Sequence, residues 1–281
     1  MPVLDGTLGA TLIGVVIASM VYGLSLLQLY SYITGRCSDK DGLFLKAFIA
    51  VLMSVNTLHL VLVCHSLYYY TITHFADFEV LAVSTWSAAV HIPVGAVVSS
   101  LVQFFYAYRL YLLNGRKYAV PTIIVSRVFS VLQTAMGISL AVKISTIRYF
   151  TKAKLIQPYS VSTLACECLC NIIITLAMAH CIRKSETGPL SSKKLQERVY
   201  YVISTGALTM AMAVAAVISW LIAPNTLVDA ALYIIMVRLY PCSFLAILNA
   251  RDDLLDFGDM TMEGPESHMS FLSHATTTHQ E

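Results

Sequence analysis

The sequence predicts an all-α integral membrane protein, a seven-helix bundle whose N-terminus lies outside the cytosol and whose C-terminus is cytosolic. Two observations predict this class. Of the 281 residues, 57% are hydrophobic and only 12% are charged, a balance that a water-soluble domain cannot bury. The apolar residues also fall in stretches of about 20, the length that a helix needs to cross a hydrocarbon core of about 30 Å.

Seven segments of spanning length follow one another along the chain, separated by short polar connectors. They are residues 8–33, 43–67, 81–108, 118–142, 159–182, 199–222 and 227–249. Pro93 interrupts the third segment and removes a backbone donor, so we expect a kink there. We therefore expect one transmembrane domain, residues 1–251, and a polar tail, residues 252–281, that is disordered and cytosolic.

The lysines and arginines between the segments predict the orientation. With the N-terminus outside, eleven of them lie on the cytosolic side and four on the outer side, which is the usual bias of multi-pass proteins. The connector 183–198 is rich in basic residues and is the candidate contact for a cytosolic partner. No basic stripe favours a nucleic-acid partner, so the expected surroundings are the lipid bilayer, in the plasma membrane rather than an internal membrane. The four outer residues share one loop and are the exception: Lys143, Arg148, Lys152 and Lys154.

Four stretches of the chain carry a resemblance to a known family. They are LDGTLGATLIGVVIASMVYGLSLLQLYSY near the start, NTLHLVLVCHSLYYYTIT in the second segment, LVQFFYAYRLYLL in the third and RLYPCSFLAILNAR in the seventh. Together they resemble a basidiomycete-fungal family of seven-transmembrane proteins catalogued as domain of unknown function 6534. The resemblance covers residues 4–251 and implies the fold, the topology and a fungal origin, but no activity. Asn56 departs from the family pattern, in which an acidic residue is common.

Two ionisable residues lie deep inside the predicted spans, where a charge is costly unless it faces the bundle interior and finds a partner. Arg238 lies near the middle of the seventh segment, too far from either surface to reach it, and we predict that it pairs with Glu167. Such a pair is either a ligand or proton site or a structural ion pair that fixes helix register, and the sequence leaves both open. Glu167 belongs to a polar stripe on one helix face: Thr163, Glu167, Asn171 and Thr175.

Histidines in the second and third segments raise the question of a metal site. His59, His65 and His91 could supply three imidazoles to zinc, as in membrane hydrolases of seven-helix form. A spacing of six residues, however, places His59 and His65 about 240° apart around a helix. We therefore favour a hydrogen-bonded interior pair of Asn56 and His59, which lie one turn apart, and predict no metal and no cofactor.

Small residues one turn apart predict close helix packing in two segments. One face is formed by Ala10, Gly14 and Ala18, and the other by Ala207, Ala211 and Ala215. We expect neighbouring backbones to approach closely at both faces.

Function is indicated only by the topology. The last segment contains no lysine, which excludes a retinal Schiff base there. A receptor-like or sensor-like protein is the expected class by analogy of fold. The alternative is a membrane-embedded enzyme or carrier that uses Glu167, Arg238 and the histidines.

Overall fold

The computed structural model describes residues 4–81, 83–114, 116–147, 153–186, 193–223 and 226–262. Within these ranges the chain is helical, which confirms the all-α class. Short helical turns at Asp5–Gly9, Arg36–Lys40, Tyr69–Thr73 and Phe78–Leu81 accompany the long helices. The long helices, α1 to α7 in chain order, are Ala10–Thr34, Leu43–Tyr68, Trp86–Asn114, Arg116–Ile147, Ala153–Glu186, Lys193–Ile222 and Val228–Met262.

Six stretches of the described chain are helical, long and apolar enough to cross a membrane, and they belong to every long helix except α6. In α6 the apolar part, Gly206–Ile222, is shorter. The chain is thus suited to a multi-pass membrane protein. The six stretches are Asp5–Thr34, Leu43–Thr73, Trp86–Tyr108, Ile123–Ile147, Pro158–Ala177 and Val228–Ala250.

Helix α7 lies at the centre of the bundle and packs against α1, α2, α3 and α6. In the apolar part of its span, 72% of the residues are buried, whereas in the other five described spans between 22% and 39% are. The apolar core surrounds Phe244, whose ring meets Phe48 and Phe105 edge-on at 5.6 and 4.6 Å between centroids. Because α7 is enclosed by other helices, polar side chains on most of its faces point into protein rather than lipid.

The small-residue face of α1 packs closely against a neighbouring helix, as predicted, and the structure shows that this helix is α7. Gly14 and Ala18 are buried, and a Cβ added to Gly14 would lie 2.8 Å from Ala231 Cβ on α7. The face predicted for α6 is wrong, because Ala211 is exposed whereas Ala213 and Ala216 are buried. Alanines occur on all sides of that helix, so their spacing alone does not identify the packed face.

Several helix boundaries differ from the sequence prediction, and two of them matter for the site. Helix α3 begins at Trp86 and continues through Pro93. The residues before it form a separate short helix that ends at Leu81. Helix α7 continues to Met262, so residues 252–262 of the predicted disordered tail are helical. No proline interrupts residues 252–262, and the rest of the predicted tail, 263–281, lies outside the described residues.

Candidate functional site

Arg238 is fully buried near the middle of the α7 span and reaches across to α2. Its Nη1 donates to the Asn56 carbonyl oxygen at 2.5 Å and also to Asn56 Oδ1. Its Nη2 contacts His59 Nδ1 at 2.5 Å. A guanidinium only donates hydrogen bonds, so His59 Nδ1 must accept, and the neutral imidazole carries its proton on Nε2. We call Arg238, Asn56 and His59 the Arg238 centre.

Helix α3 closes the Arg238 centre on one side. A Cβ added to Gly95 would lie 2.9 Å from His59 Nε2 and 2.6 Å from Tyr233 Oη, so only glycine allows these side chains to come so near α3. Tyr233 donates to the Ile92 carbonyl oxygen at 3.0 Å, and the His59 and His91 rings lie 5.6 Å apart. Helices α2, α3 and α7 therefore meet around the histidine.

Three donors of the Arg238 centre have no hydrogen-bond partner among the described residues. They are Arg238 Nε, Asn56 Nδ2 and His59 Nε2, on side chains that are 0% exposed. The bonds that Arg238 does make go to an amide, a carbonyl and an imidazole, none of which carries a negative charge. The centre is thus a buried positive charge with spare donors.

Glu167 is also fully buried, near the middle of the α5 span. Its Oε1 accepts from Tyr240 Oη at 3.2 Å, and Tyr240 Oη accepts from Asn171 Nδ2 at 2.6 Å. Ser99 and Gln133 lie beside the carboxyl, and Gln133 Nε2 donates to Ser99 Oγ at 2.8 Å. This second group, the Glu167 centre, therefore joins α3, α4, α5 and α7.

The predicted ion pair between Glu167 and Arg238 is wrong. Alternate residues of a helix point about 200° apart, so Arg238 faces α2 while Tyr240, two residues later, faces Glu167 on α5. Helix α7 thus lies between the two centres. The prediction assumed that a lone buried acid and a lone buried base must meet. Instead, neutral groups surround each of them: an amide, a carbonyl and an imidazole around Arg238, and a phenol, a hydroxyl and an amide around Glu167.

The structure separates the three histidines considered for zinc. His65 Nδ1 contacts Ser87 Oγ at 2.9 Å and its ring lies 5.2 Å from Trp86, whereas His59 and His91 face each other. In the described part of the chain, no group of three histidine, cysteine, aspartate or glutamate residues could hold a metal ion. Asn56 and His59 do share the interior face, but they are joined through Arg238 rather than directly.

Several members of the Glu167 centre were missed by sequence reasoning because they are uncharged. Their signal is a polar residue repeated every three or four positions inside an apolar segment, which places the residues on one helix face. The same spacing occurs on three helices: Ser99 and Gln103 on α3; Ser126, Ser130 and Gln133 on α4; Thr163, Glu167 and Asn171 on α5.

The model of one protein family, "Family of unknown function (DUF6534)", matches residues 167–253. This segment begins at Glu167, includes Asn171, Arg238 and Tyr240, and ends just beyond the α7 span. The match supports the family that the sequence resembles. No curated protein and no solved structure matches the chain significantly.

Proposed function

We propose that the chain is a receptor-like, seven-crossing membrane protein of this family, from the plasma membrane of a basidiomycete fungus, in which α7 changes position when a ligand binds the Arg238 centre. The observation that carries the proposal is a fully buried arginine, without a carboxylate partner, on the most buried of the described spans. A charge at the bilayer centre costs several kcal/mol or more, so an unmatched one suggests a functional role.

The chemistry of the Arg238 centre favours a ligand that accepts hydrogen bonds. A buried donor without a partner costs about 1–3 kcal/mol, and the Arg238 centre holds three such donors, one of them the guanidinium's own Nε. A carboxylate or another small anionic group would offer both the negative charge and the lone pairs that these donors lack.

Helix α7 has a weak point next to this centre. Pro241 lies inside the helix, three residues after Arg238, and leaves the Val237 carbonyl without its backbone donor. Pro93 has the same effect on α3, close to Gly95. Sharp bends in helices occur at such positions, so two of the three helices around the Arg238 centre, α3 and α7, can bend within the membrane.

The movement can be tested with pairs of spin labels carried on non-canonical amino acids. An inner pair at Ile33 and Leu254 and an outer pair at Phe75 and Leu221 would be measured by pulsed electron paramagnetic resonance in nanodiscs. Arg238→Met removes the contacts between α7 and α2, so we expect the inner distance to change by about 2 Å or more while the outer distance stays the same.

Ser25→Ala is the matched control, because this buried hydroxyl of α1 lies outside the Arg238 centre: it donates to the Val21 carbonyl of its own helix and contacts Cys242 on α7. It should leave both distances unchanged. If Arg238→Met changes the two pairs in opposite senses, the bundle opens alternately to each side and the protein is a carrier. If neither pair changes, α7 is not a responsive element and the receptor-like role is wrong.

The proposed orientation makes a separate prediction. A reporter fused after Arg251 should be cytosolic and one fused before Leu4 should lie on the other side, because basic residues favour this topology by eleven to four. The measurement is protease protection of the two reporters in sealed membranes. Reporters on the same side would mean an even number of crossings, with α6 failing to span. The proposed orientation also exposes the connector 183–198 to a cytosolic partner.

A further inference from the structure

We infer that the Glu167 centre is a binding site for a small monovalent cation, for which Na⁺ is the appropriate probe. The site lies on the opposite side of α7 from the Arg238 centre and does not depend on the proposed receptor-like role.

The inference rests on buried oxygen atoms that have no hydrogen-bond partner among the described residues. They are Glu167 Oε2, Gln103 Oε1 and Gln133 Oε1, together with the hydroxyl oxygens of Ser126 and Ser130. All five side chains are at most 1% exposed. An unpaired buried acceptor is costly. Five of them therefore indicate that a hydrogen-bond donor or a cation is missing.

The hydrogen bonds of the centre connect Gln103 and Gln133 to the Glu167 carboxyl, whereas Ser130 and Ser126 belong to the site by helix spacing, one and two turns before Gln133 on the same face of α4. Gln133 lies beside Glu167 and is fixed by its bond to Ser99. Gln103 Nε2 reaches Asn171 Oδ1 at 3.5 Å, and Asn171 leads back to Glu167 through Tyr240. In both glutamines the amide nitrogen donates the hydrogen bond just described. The amide oxygen is left free to bind a ligand.

The charge and chemistry of these groups determine the class of ligand. Carboxylate, amide and hydroxyl oxygens are the ligands of hard cations. A single carboxylate neutralises one positive charge, whereas a divalent ion would leave an uncompensated charge at mid-membrane. A proton on Glu167 Oε2 could donate to only one of the other oxygens, but a cation coordinates several at once.

The test is the thermal stability of the purified full-length protein in detergent, at fixed pH and fixed chloride concentration. Na⁺ would be exchanged for N-methyl-D-glucamine, a cation too large for the site. We expect Tm to rise with the logarithm of the Na⁺ concentration once that concentration exceeds the Kd, with a gain of roughly 5 °C when Na⁺ is about a hundredfold above the Kd. Glu167→Gln should abolish the gain.

Two further variants keep the result interpretable if Glu167→Gln does not fold. Ser130→Ala removes one neutral oxygen. It should shift the dependence of Tm on Na⁺ to higher concentrations, by about tenfold for a loss equivalent to one hydrogen bond. Ser25→Ala, outside the site, should keep the wild-type dependence of Tm on Na⁺. Equal stability in Na⁺ and N-methyl-D-glucamine would overturn the inference, as would a stability that follows pH but not Na⁺, which would identify the occupant as a proton.

Discussion

Replacing Asn56 by leucine is expected to destabilise the protein by about 3 kcal/mol, the upper end of the range for a hydrogen bond to a charged group, while Arg238 keeps its bonds to the backbone carbonyl of residue 56 and to His59. Asn56 supplies two of the hydrogen bonds that Arg238 makes, and leucine keeps the side-chain volume while removing the Oδ1 acceptor. Arg238→Met should cost less, about 1–3 kcal/mol, because the groups it leaves unpaired are neutral. The measurement is the free energy of unfolding in detergent.

A double-mutant cycle gives this prediction its control. Because Asn56 and Arg238 contact each other, the double variant should cost less than the sum of the single variants by 1 kcal/mol or more, which is about the size of coupling for residues in contact. Glu167→Gln with Arg238→Met should be closer to additive, since α7 separates the two side chains. Strict additivity of Asn56 and Arg238 would contradict the contact that the structure shows.

Gly14→Ala should separate α1 from α7 and destabilise the bundle by about 1–3 kcal/mol, the usual cost of overpacking. The added Cβ would lie 2.8 Å from Ala231 Cβ and 2.9 Å from Ala231 Cα, and backbone atoms cannot move aside as the end of a side chain can. Thermal unfolding in detergent would measure the loss.

Gly23→Ala is the matched control, because it lies on the same helix and a Cβ there would meet nothing within 4 Å. Alanine is the better helix former, so this change should be neutral or slightly stabilising. Equal losses at Gly14 and Gly23 would contradict contact with α7 as the cause of the destabilisation at Gly14.

The helices could be predicted from the sequence because a continuous apolar segment is read directly from composition and length. Their ends were less predictable: the start of α3 at Trp86 was missed although Thr85 before it is a typical N-cap residue, whose Oγ1 accepts from the Ala88 N–H at 3.2 Å. For α7 the sequence predicts order only to Arg251, but a helix does not have to stop where hydropathy falls, and this one continues to Met262.

The candidate site was partly predictable. Periodicity placed Asn56 and His59 on one face of α2, and the structure joins both to Arg238. The partner of Arg238 was not predictable, because it depends on how α7 is rotated against its neighbours. That rotation is determined by packing such as Gly14 against Ala231, which no single segment encodes.

The length of α7 has a mechanical consequence. The helix has 35 residues, about 52 Å at 1.5 Å per residue, and a hydrocarbon core of about 30 Å leaves some 20 Å of it outside. From Pro241 to Met262 the helix forms an arm of about 31 Å. A bend of about 10° at the proline would swing the end of that arm by roughly 5 Å, one helical pitch. A small shift of the atoms beside Arg238 would therefore move the end of α7, beyond the membrane, far enough to change its contacts with another protein.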